Sequence, residues 1–288
     1  MSRVRILTDS TSDIPPQMVE RLRIAVVPAY VQIGNRSYRD EPSPGGLSRE
    51  TFYDQLPSMP VVPTTAVPPA HEFATAYRSL GGEAKDIIAI VLSATLSGMY
   101  NVALLGAREV PEVNVHVVDS EQLTMGIGWM VIAAAEAAAE GKSAQEILAL
   151  IENIKPRVHV YAILDTLEYM RRSGRVSWAQ AKAAQMLRIK PIVEVLLGQV
   201  KDVSRTRTRR RAIEQLVELT CALGPLERLA ILHTYAPDLE AFRRRLAERA
   251  AHLCPPEPHP TVVVTTIIGA HIGPRALGVA AVAAVAAR

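Results

Sequence analysis

Short apolar runs recur along this chain, and three of them open onto turns rich in hydroxyls or glycine. Val4-Arg5-Ile6-Leu7 leads into Thr8-Asp9-Ser10-Thr11-Ser12-Asp13, and Ile87-Ile88-Ala89-Ile90-Val91-Leu92 leads into Ser93-Ala94-Thr95-Leu96-Ser97-Gly98. Thr261-Val262-Val263-Val264 leads, a few residues later, into Gly269-Ala270-His271-Ile272-Gly273-Pro274. In an open α/β sheet the carboxyl ends of the strands converge on one crevice, so small donors placed there gather around a single ligand. The pattern constrains the chain to an α/β architecture with a site for an anionic head group and little machinery for chemistry of its own.

The alternation of signals carries the fold class. Strand signals over 4–7, 24–32, 87–92 and 113–118 alternate with helical ones over 15–22, 48–55, 69–80, 97–109 and 125–139, which favours a Rossmann-like parallel sheet with helices on both faces. A further helix begins at Lys142-Ser143-Ala144-Gln145, runs to about 153 and is followed by Pro156. The expected division is therefore 1–157 as an N-terminal α/β domain and 158–288 as a C-terminal α+β domain with a mixed or antiparallel sheet. In the second half, runs over 192–197 and 199–203 join at Gly198 as a hairpin does, and strands are expected over 158–164, 229–233 and 262–268. Helices are expected over 166–172, 177–187, 208–222 and 237–253, and the Ala-rich end of the chain reads as a terminal helix.

Composition narrows the function classes. A chain of 288 residues with 49% hydrophobic content has room for two substantial cores. A net charge of +3 gives no general pull toward nucleic acid or an anionic membrane. The Ala-rich stretch over 129–139 is interrupted by Glu136 and falls short of the roughly 20 apolar residues needed to cross a bilayer, so it reads as a buried helix and no stable membrane insertion is expected. Cys221 and Cys254 follow an opening Met1-Ser2-Arg3 with no apolar signal region, which points to the cytoplasm rather than to a secreted disulfide framework.

Each candidate site has an ordinary reading beside its functional one. Ser12 or Asp13 is expected to cap the helix that opens at Pro15-Pro16, and the rest of that segment is turn chemistry. An Asp-x-Asp phosphatase nucleophile would need a carboxylate where Thr11 stands. Ser93, Thr95, Ser97 and Gly98 either cap a helix or, with its free N–H groups, form an anion site at the positive end of its dipole. Pro63-Thr64-Thr65-Ala66-Val67-Pro68 reads as a stiff exposed loop in which Thr64 or Thr65 is free to present a hydroxyl. His271 stands between Gly269 and Gly273, where backbone can approach a ligand closely, and nothing nearby has metal-ligand spacing. Arg205-Thr206-Arg207-Thr208-Arg209-Arg210-Arg211 puts cations at a helix start, where the dipole disfavours them; Arg171-Arg172-Ser173-Gly174-Arg175 is a second basic turn. Neither stretch is interleaved with aromatics for base stacking, so nucleic acid is not an expected partner. No Gly-x-x-x-x-Gly-Lys-[Ser/Thr] phosphate loop is present, so phosphoryl transfer would require a second protein.

Taken in order, several motifs resemble those of the DegV family. They are Thr8-Asp9-Ser10-Thr11-Ser12-Asp13-Ile14-Pro15, Pro63-Thr64-Thr65, Leu96-Ser97-Gly98-Met99-Tyr100 and Val118-Asp119-Ser120, then Leu167-Glu168-Tyr169-Met170-Arg171-Arg172-Ser173-Gly174-Arg175, Lys190-Pro191-Ile192 and Gly269-Ala270-His271-Ile272-Gly273. The resemblance spans essentially the whole chain. It implies a two-domain bacterial fatty-acid-binding protein, the B subunit of a fatty acid kinase, with no cofactor and a palmitate-like long-chain fatty acid buried between the domains. The carboxylate is then held among Thr64, Thr65, Ser93, Thr95, Ser97, Gly98, His271 and Gly273, and a separate ATP-dependent kinase subunit phosphorylates it. Arg172, Arg205 and Arg207 are implied as partner-binding positions. Ala94, where the family commonly has a second serine, removes one donor, and Arg275, where the family has glycine, is expected to place a bulky cation beside the carboxylate. The alternatives are a stand-alone hydrolase or phosphotransferase acting on a small carboxylate or phosphorylated metabolite through Ser97 or His271 and, ranked last, a regulatory nucleic-acid binder using 205–211.

Overall fold

A computed structural model of the chain describes residues 4–40, 47–182, 189–256 and 258–285. The first part runs β1 (Val4–Asp9), a 3-10 turn at Ser10–Ser12, α1 (Pro16–Arg21), β2 (Ala25–Val27), β3 (Tyr30–Ile33), β4 (Arg36–Arg39), α2 (Arg49–Gln55), β5 (Thr64–Ala66) and α3 (Ala70–Gly81). It continues with β6 (Asp86–Val91), α4 (Met99–Arg108), β7 (Asn114–Asp119), α5 (Met125–Ala139) and α6 (Ala144–Ile154). Strands β2-β1-β6-β7 form a parallel sheet in that order, and β4-β3-β5 form a small antiparallel one.

From Val158 onward the chain forms a second large sheet. Its elements are β8 (Val158–Ile163), α7 (Glu168–Ser173), α8 (Ser177–Lys182), β9 (Lys190–Leu196), β10 (Gln199–Thr206), α9 (Arg209–Ala222), β11 (Leu226–His233), α10 (Leu239–Ala250), β12 (Thr261–Val263), α11 (Thr266–Ile272) and β13 (Leu277–Ala283). The strand order is β10-β9-β8-β13-β11-β12, antiparallel throughout except for the parallel pair β11 and β12. The architecture is thus mixed α/β, with a parallel sheet in the N-terminal part and a mixed sheet in the C-terminal part.

Helix α5 explains how the two sheets meet. A helix with one wet face shows an apolar stripe, whereas one apolar all round must be buried on all sides. In α5 only Glu136 and Ala139 lie outside the buried class. It packs on β1 and β6 from one side and on β8, β11 and β13 from the other, and Trp129 Nε1 donates to the carbonyl of Ala280 at 2.9 Å. One hydrophobic cluster consequently crosses from Leu7 and Ile88 through Met130 to Leu232 and Val282. α6 on the outer side is anchored by a capping box in which Ser143 and Glu146 satisfy each other's backbone N–H.

Four local expectations are corrected by packing. The Ala-rich end is strand β13, because it lies between β8 and β11 with both faces covered, and there small side chains fit where helix propensity alone would choose otherwise. Gly278 is forced by the same crowding: a Cβ would collide with the carbonyl oxygen of Tyr161. The strand expected over 262–268 stops at Val263, since the Thr265 hydroxyl accepts from Ile267 N and starts α11. Thr64 and Thr65 lie in β5, paired with β3 through Thr65 and Val31, rather than in a free loop. Neither Ser12 nor Asp13 caps α1; the Asp9 carboxylate accepts from Thr11 N, and Asp13 is left-handed at φ 53°. The part of the expected 177–187 helix beyond Lys182 falls outside the described residues.

α11 fits its niche because it has no side chain at Gly269. A Cβ there would collide with the ring of Tyr53, whose hydroxyl donates to the carbonyls of Val264 at 2.8 Å and Thr265 at 3.1 Å. Gly269→Ala is therefore expected to destabilise the protein by about 2 kcal/mol and to lower its melting temperature by roughly 4–8 °C. A melting temperature unchanged within about a degree in calorimetry would show that the helix is free to shift.

Candidate functional site

Between the two large sheets lies a cavity of about 760 Å³. Its walls are largely apolar: Leu92 and Leu123 come from strand-end turns of the parallel sheet, Val160, Val195 and Leu232 from the mixed sheet, and Ile268 from α11. Met170 and Val176, on α7 and just before α8, complete the outer wall. Polar side chains in the wall include Thr65 of β5, Thr95 and Ser97 before α4, His271 of α11 and the exposed cation Arg175.

Three separate elements bring the polar groups together. β5 presents Thr65, and its Oγ1 lies 3.1 Å from His271 Nε2. The carbonyl of Ser93 accepts from both Leu96 N and Ser97 N, each at 3.1 Å, which curls the 93–98 turn back on itself at the start of α4. Ser97 Oγ accepts from Met99 N at 3.2 Å, Gly98 is the helix N-cap and carries no side chain, and both residues line the cavity. The first turn of α4 thus faces an enclosed space with its dipole positive end, a setting that favours an anion.

His271 is held neutral. Burial, assisted by the nearby positive charge of Arg175, pushes its imidazole down to about 4. Its Nδ1 is buried and meets no hydrogen-bond partner among the described residues. A Ser-His-carboxylate triad needs the histidine bonded to the serine on one side and to an acid on the other. Here its bonded partner is Thr65, which supplies neither. Among the described residues no group of His, Cys, Asp and Glu could hold a metal ion, and no helix is long and apolar enough to cross a membrane.

Not every residue singled out in the sequence reaches the cavity. Ser93 is fully buried behind the turn, 2.9 Å from Thr95 Oγ1, and Thr95 in turn donates to the carbonyl of Gly198 at 2.6 Å. Thr64 points away and bonds Gln32 Oε1 at 3.3 Å. Gly273, at φ 78°, packs its backbone against the ring of Tyr169. Arg275 is exposed, left-handed at φ 65° and outside the cavity wall, so the cation expected beside the carboxylate is absent from that place. Arg175 does stand in the wall; the sequence showed it only as part of a basic turn.

The hydroxyl-rich turn after β1 serves as a brace. Asp13 Oδ1 accepts from Thr265 N at 2.9 Å and from Arg49 at 3.0 Å, while its Oδ2 accepts from Thr124 Oγ1 at 2.7 Å. Burial raises this carboxyl to about 7 even though Arg49 and the donors favour its ionised form. Arg49 also donates to the carbonyl of Val263, and Asp40 accepts from the hydroxyls of Thr265 and Thr266. These bonds tie the start of α11, and hence His271, to the N-terminal part. Asp9 is likewise consumed internally, by Thr11 and Leu92 N.

The arginine cluster sorts itself by partners. Arg205 is bound to Asp202, Arg209 to Asp238 and Arg210 to Glu214. Arg172 shares Glu168 with Arg171, which pulls that carboxyl down to about 2. Arg207 is exposed and has no hydrogen-bonding or charged partner among the described residues.

The whole chain matches known proteins. Residues 3–284 fit the family model described as "Uncharacterised protein, DegV family". A DegV domain-containing protein of Streptomyces coelicolor is 36% identical over 284 residues, covering 97% of this chain and 98% of its own. A DegV family protein from Thermus thermophilus, described for its fatty acid binding, superposes with a TM-score of 0.88 at 30% identity, over 98% of this chain and 100% of that one. DegV of Bacillus subtilis, described as a fatty acid binding protein, does so with a TM-score of 0.85 at 29% identity, over 99% and 100%.

Because the folded His271 titrates below its unfolded value, the unfolded chain binds more protons between about 4 and 6.5. The stability that neutral His271 contributes is fully present above the unfolded value and is lost as pH falls through that window. In histidine-selective NMR the ring is expected to stay neutral down to about pH 4. A midpoint between about 6 and 7 would contradict the burial argument.

Proposed function

Because the chain belongs to the DegV family, we propose that it binds one long-chain fatty acid in the cavity between its sheets and presents the carboxylate to a separate ATP-dependent kinase subunit. The observation that carries the reading is an apolar cavity whose wall holds the bonded pair Thr65 and His271, a sequestered ring nitrogen without a partner among the described residues, and the N-terminal turn of α4. The relatives from Thermus thermophilus and Bacillus subtilis, described as fatty acid binding, support the same ligand class here.

The energetics favour this ligand. A buried methylene contributes about 0.8 kcal/mol, so a sixteen-carbon tail offers roughly 12 kcal/mol before ordering costs. Its carboxylate must be hydrogen-bonded on entering the protein, and the hydroxyl of Ser97, helix N–H groups and the one proton that the Thr65–His271 pair leaves free supply donors. Arg175 adds a cation at the exposed edge. In the proposed transfer a carboxylate oxygen forms a bond to the γ-phosphorus of ATP as the bond to ADP breaks, giving an acyl phosphate. The carrier contributes position and charge, and the kinase subunit contributes the nucleotide site. Arg207, exposed and unpaired among the described residues, is the preferred docking position; Arg205 and Arg172 are already held by acids.

Protein purified from bacteria is expected to release a fatty acid on organic extraction, detected by mass spectrometry. Ser97→Ala is expected to weaken palmitate binding by roughly 10- to 100-fold through loss of a hydrogen bond to a charged group. Binding equal to wild type would remove Ser97 from the site. Arg207→Glu is expected to reduce phosphorylation by the cognate kinase at least tenfold while the lipid content stays constant; parallel loss of lipid would refute the docking role.

A further inference from the structure

Behind the 93–98 turn lie the turn that follows β7 and the tip of the β9–β10 hairpin, and the three are bonded to one another. Asp119 Oδ1 accepts from Ala94 N at 3.1 Å and from Glu121 N at 2.9 Å. Thr95 Oγ1 donates to Gly198 O at 2.6 Å, and Gly198 N donates to Glu121 O at 2.7 Å. The fit is close: a Cβ on Gly198 would stand 3.3 Å from Ser93 Oγ and from both branches of Thr95.

Backbone strain collects at this junction. Glu121 and Leu197, the residues on either side of the seam, are left-handed at φ 54° and 48°. Thr124, in the cavity wall, is left-handed as well at φ 48°. The side chain of Leu197 is 45% exposed, so burial does little to hold it in that conformation. Strain of this kind persists only where surrounding contacts over-determine it, and it concentrates at ligand clamps and switch regions.

From the strained tip, β10 runs past the cavity wall toward the arginines proposed for docking. Val200 lines the cavity, and its carbonyl accepts from Trp178 Nε1 of α8 at 2.9 Å. Arg205 stands near the far end, and Arg207 follows the last residue of the strand. The hairpin therefore touches the head-group turn through Gly198, and its second strand touches the cavity wall and α8 before Arg207, which has no partner among the described residues.

We propose that β10 reports whether the cavity is occupied, with Thr95 as the positioning residue that couples the head-group turn to the hairpin. The inference rests on the fatty-acid reading above. A carboxylate held at Ser97 fixes the 93–98 turn, the fixed turn holds Gly198 through Thr95, and Gly198 keeps Leu197 in its strained conformation. When the cavity is empty the turn loses that restraint, the tip relaxes and β10 exchanges between arrangements. A partner docking at Arg207 then meets an ordered strand end on the loaded carrier and a mobile one on the empty carrier, a difference between two states that is what coupling requires.

Hydrogen–deuterium exchange of the full chain, with retained palmitate measured by mass spectrometry in the same samples, tests the coupling. Palmitate-loaded wild type is expected to exchange peptides covering 197–206 about tenfold more slowly than delipidated protein, while peptides of β11 and β13 differ little. Thr95→Ser, which keeps the hydroxyl, is expected to preserve that ratio; Thr95→Val is expected to bring it to about one when scored only on the molecules that carry palmitate. Equal exchange of loaded and delipidated wild type with palmitate retained would overturn the coupling alone. A tenfold ratio persisting in Thr95→Val would overturn it too. Loss of palmitate in that variant would do the same, because the hydroxyl would then belong to the head-group site. Failure of wild type to retain palmitate would overturn the fatty-acid reading and this one with it.

Discussion

Two sheets made by different parts of the chain share one helix that is buried at all but two residues, and the site exists because α5 fills only part of the space between them. Where α5 lies, Trp129 and its neighbours close the seam and form a continuous core. Beyond it the sheets stay apart, and the gap is walled by side chains that leave a cavity. The brace of Asp13, Arg49 and Asp40 pins α11 across the seam, so His271 is delivered to the cavity wall by a helix rather than by a loop. Donors fixed in this way need no reorganisation when a ligand arrives.

The chemistry of the site follows from that enclosure. Burial makes a charged imidazole costly, so His271 stays neutral at physiological pH and acts as a hydrogen-bonding group. Its partner Thr65 is a hydroxyl rather than an acid, which removes the arrangement that would make a nucleophile of Ser97. The same enclosure suits an alkyl chain and disfavours a small hydrophilic substrate, whose hydration the apolar walls cannot replace.

Much of this was legible in the residues because chemistry and sequence periodicity agree there. The Gly198 hairpin and the buried reading of 129–139 carry through to the structure, as does the alternation over 4–139 except that the strand expected over 24–32 divides into β2 and β3, which join different sheets. What failed depended on neighbours distant in sequence. β13 has the composition of a helix and becomes a strand only because β8 and β11 flank it on both sides. Ser93 and Ser97 are equivalent in a sequence of small polar residues, and only the direction in which the turn curls separates the buried hydroxyl from the one on the cavity wall. Arg205 and Arg207 look alike until Asp202 is found against one of them. Arg175 showed only as one cation of a basic turn, since its place in the wall is set by how α7 and α8 fold over the cavity.

Everything turns on an acyl chain lying in the gap beside α5 with its carboxylate at the polar part of the wall. A crystal structure of the protein as purified tests this most directly. The account expects continuous tubular density through the cavity, ending in a carboxylate about 3 Å from Ser97 Oγ and Thr65 Oγ1. Side chains or scattered water filling that space, with no alkyl density in protein that has never been delipidated, would contradict it.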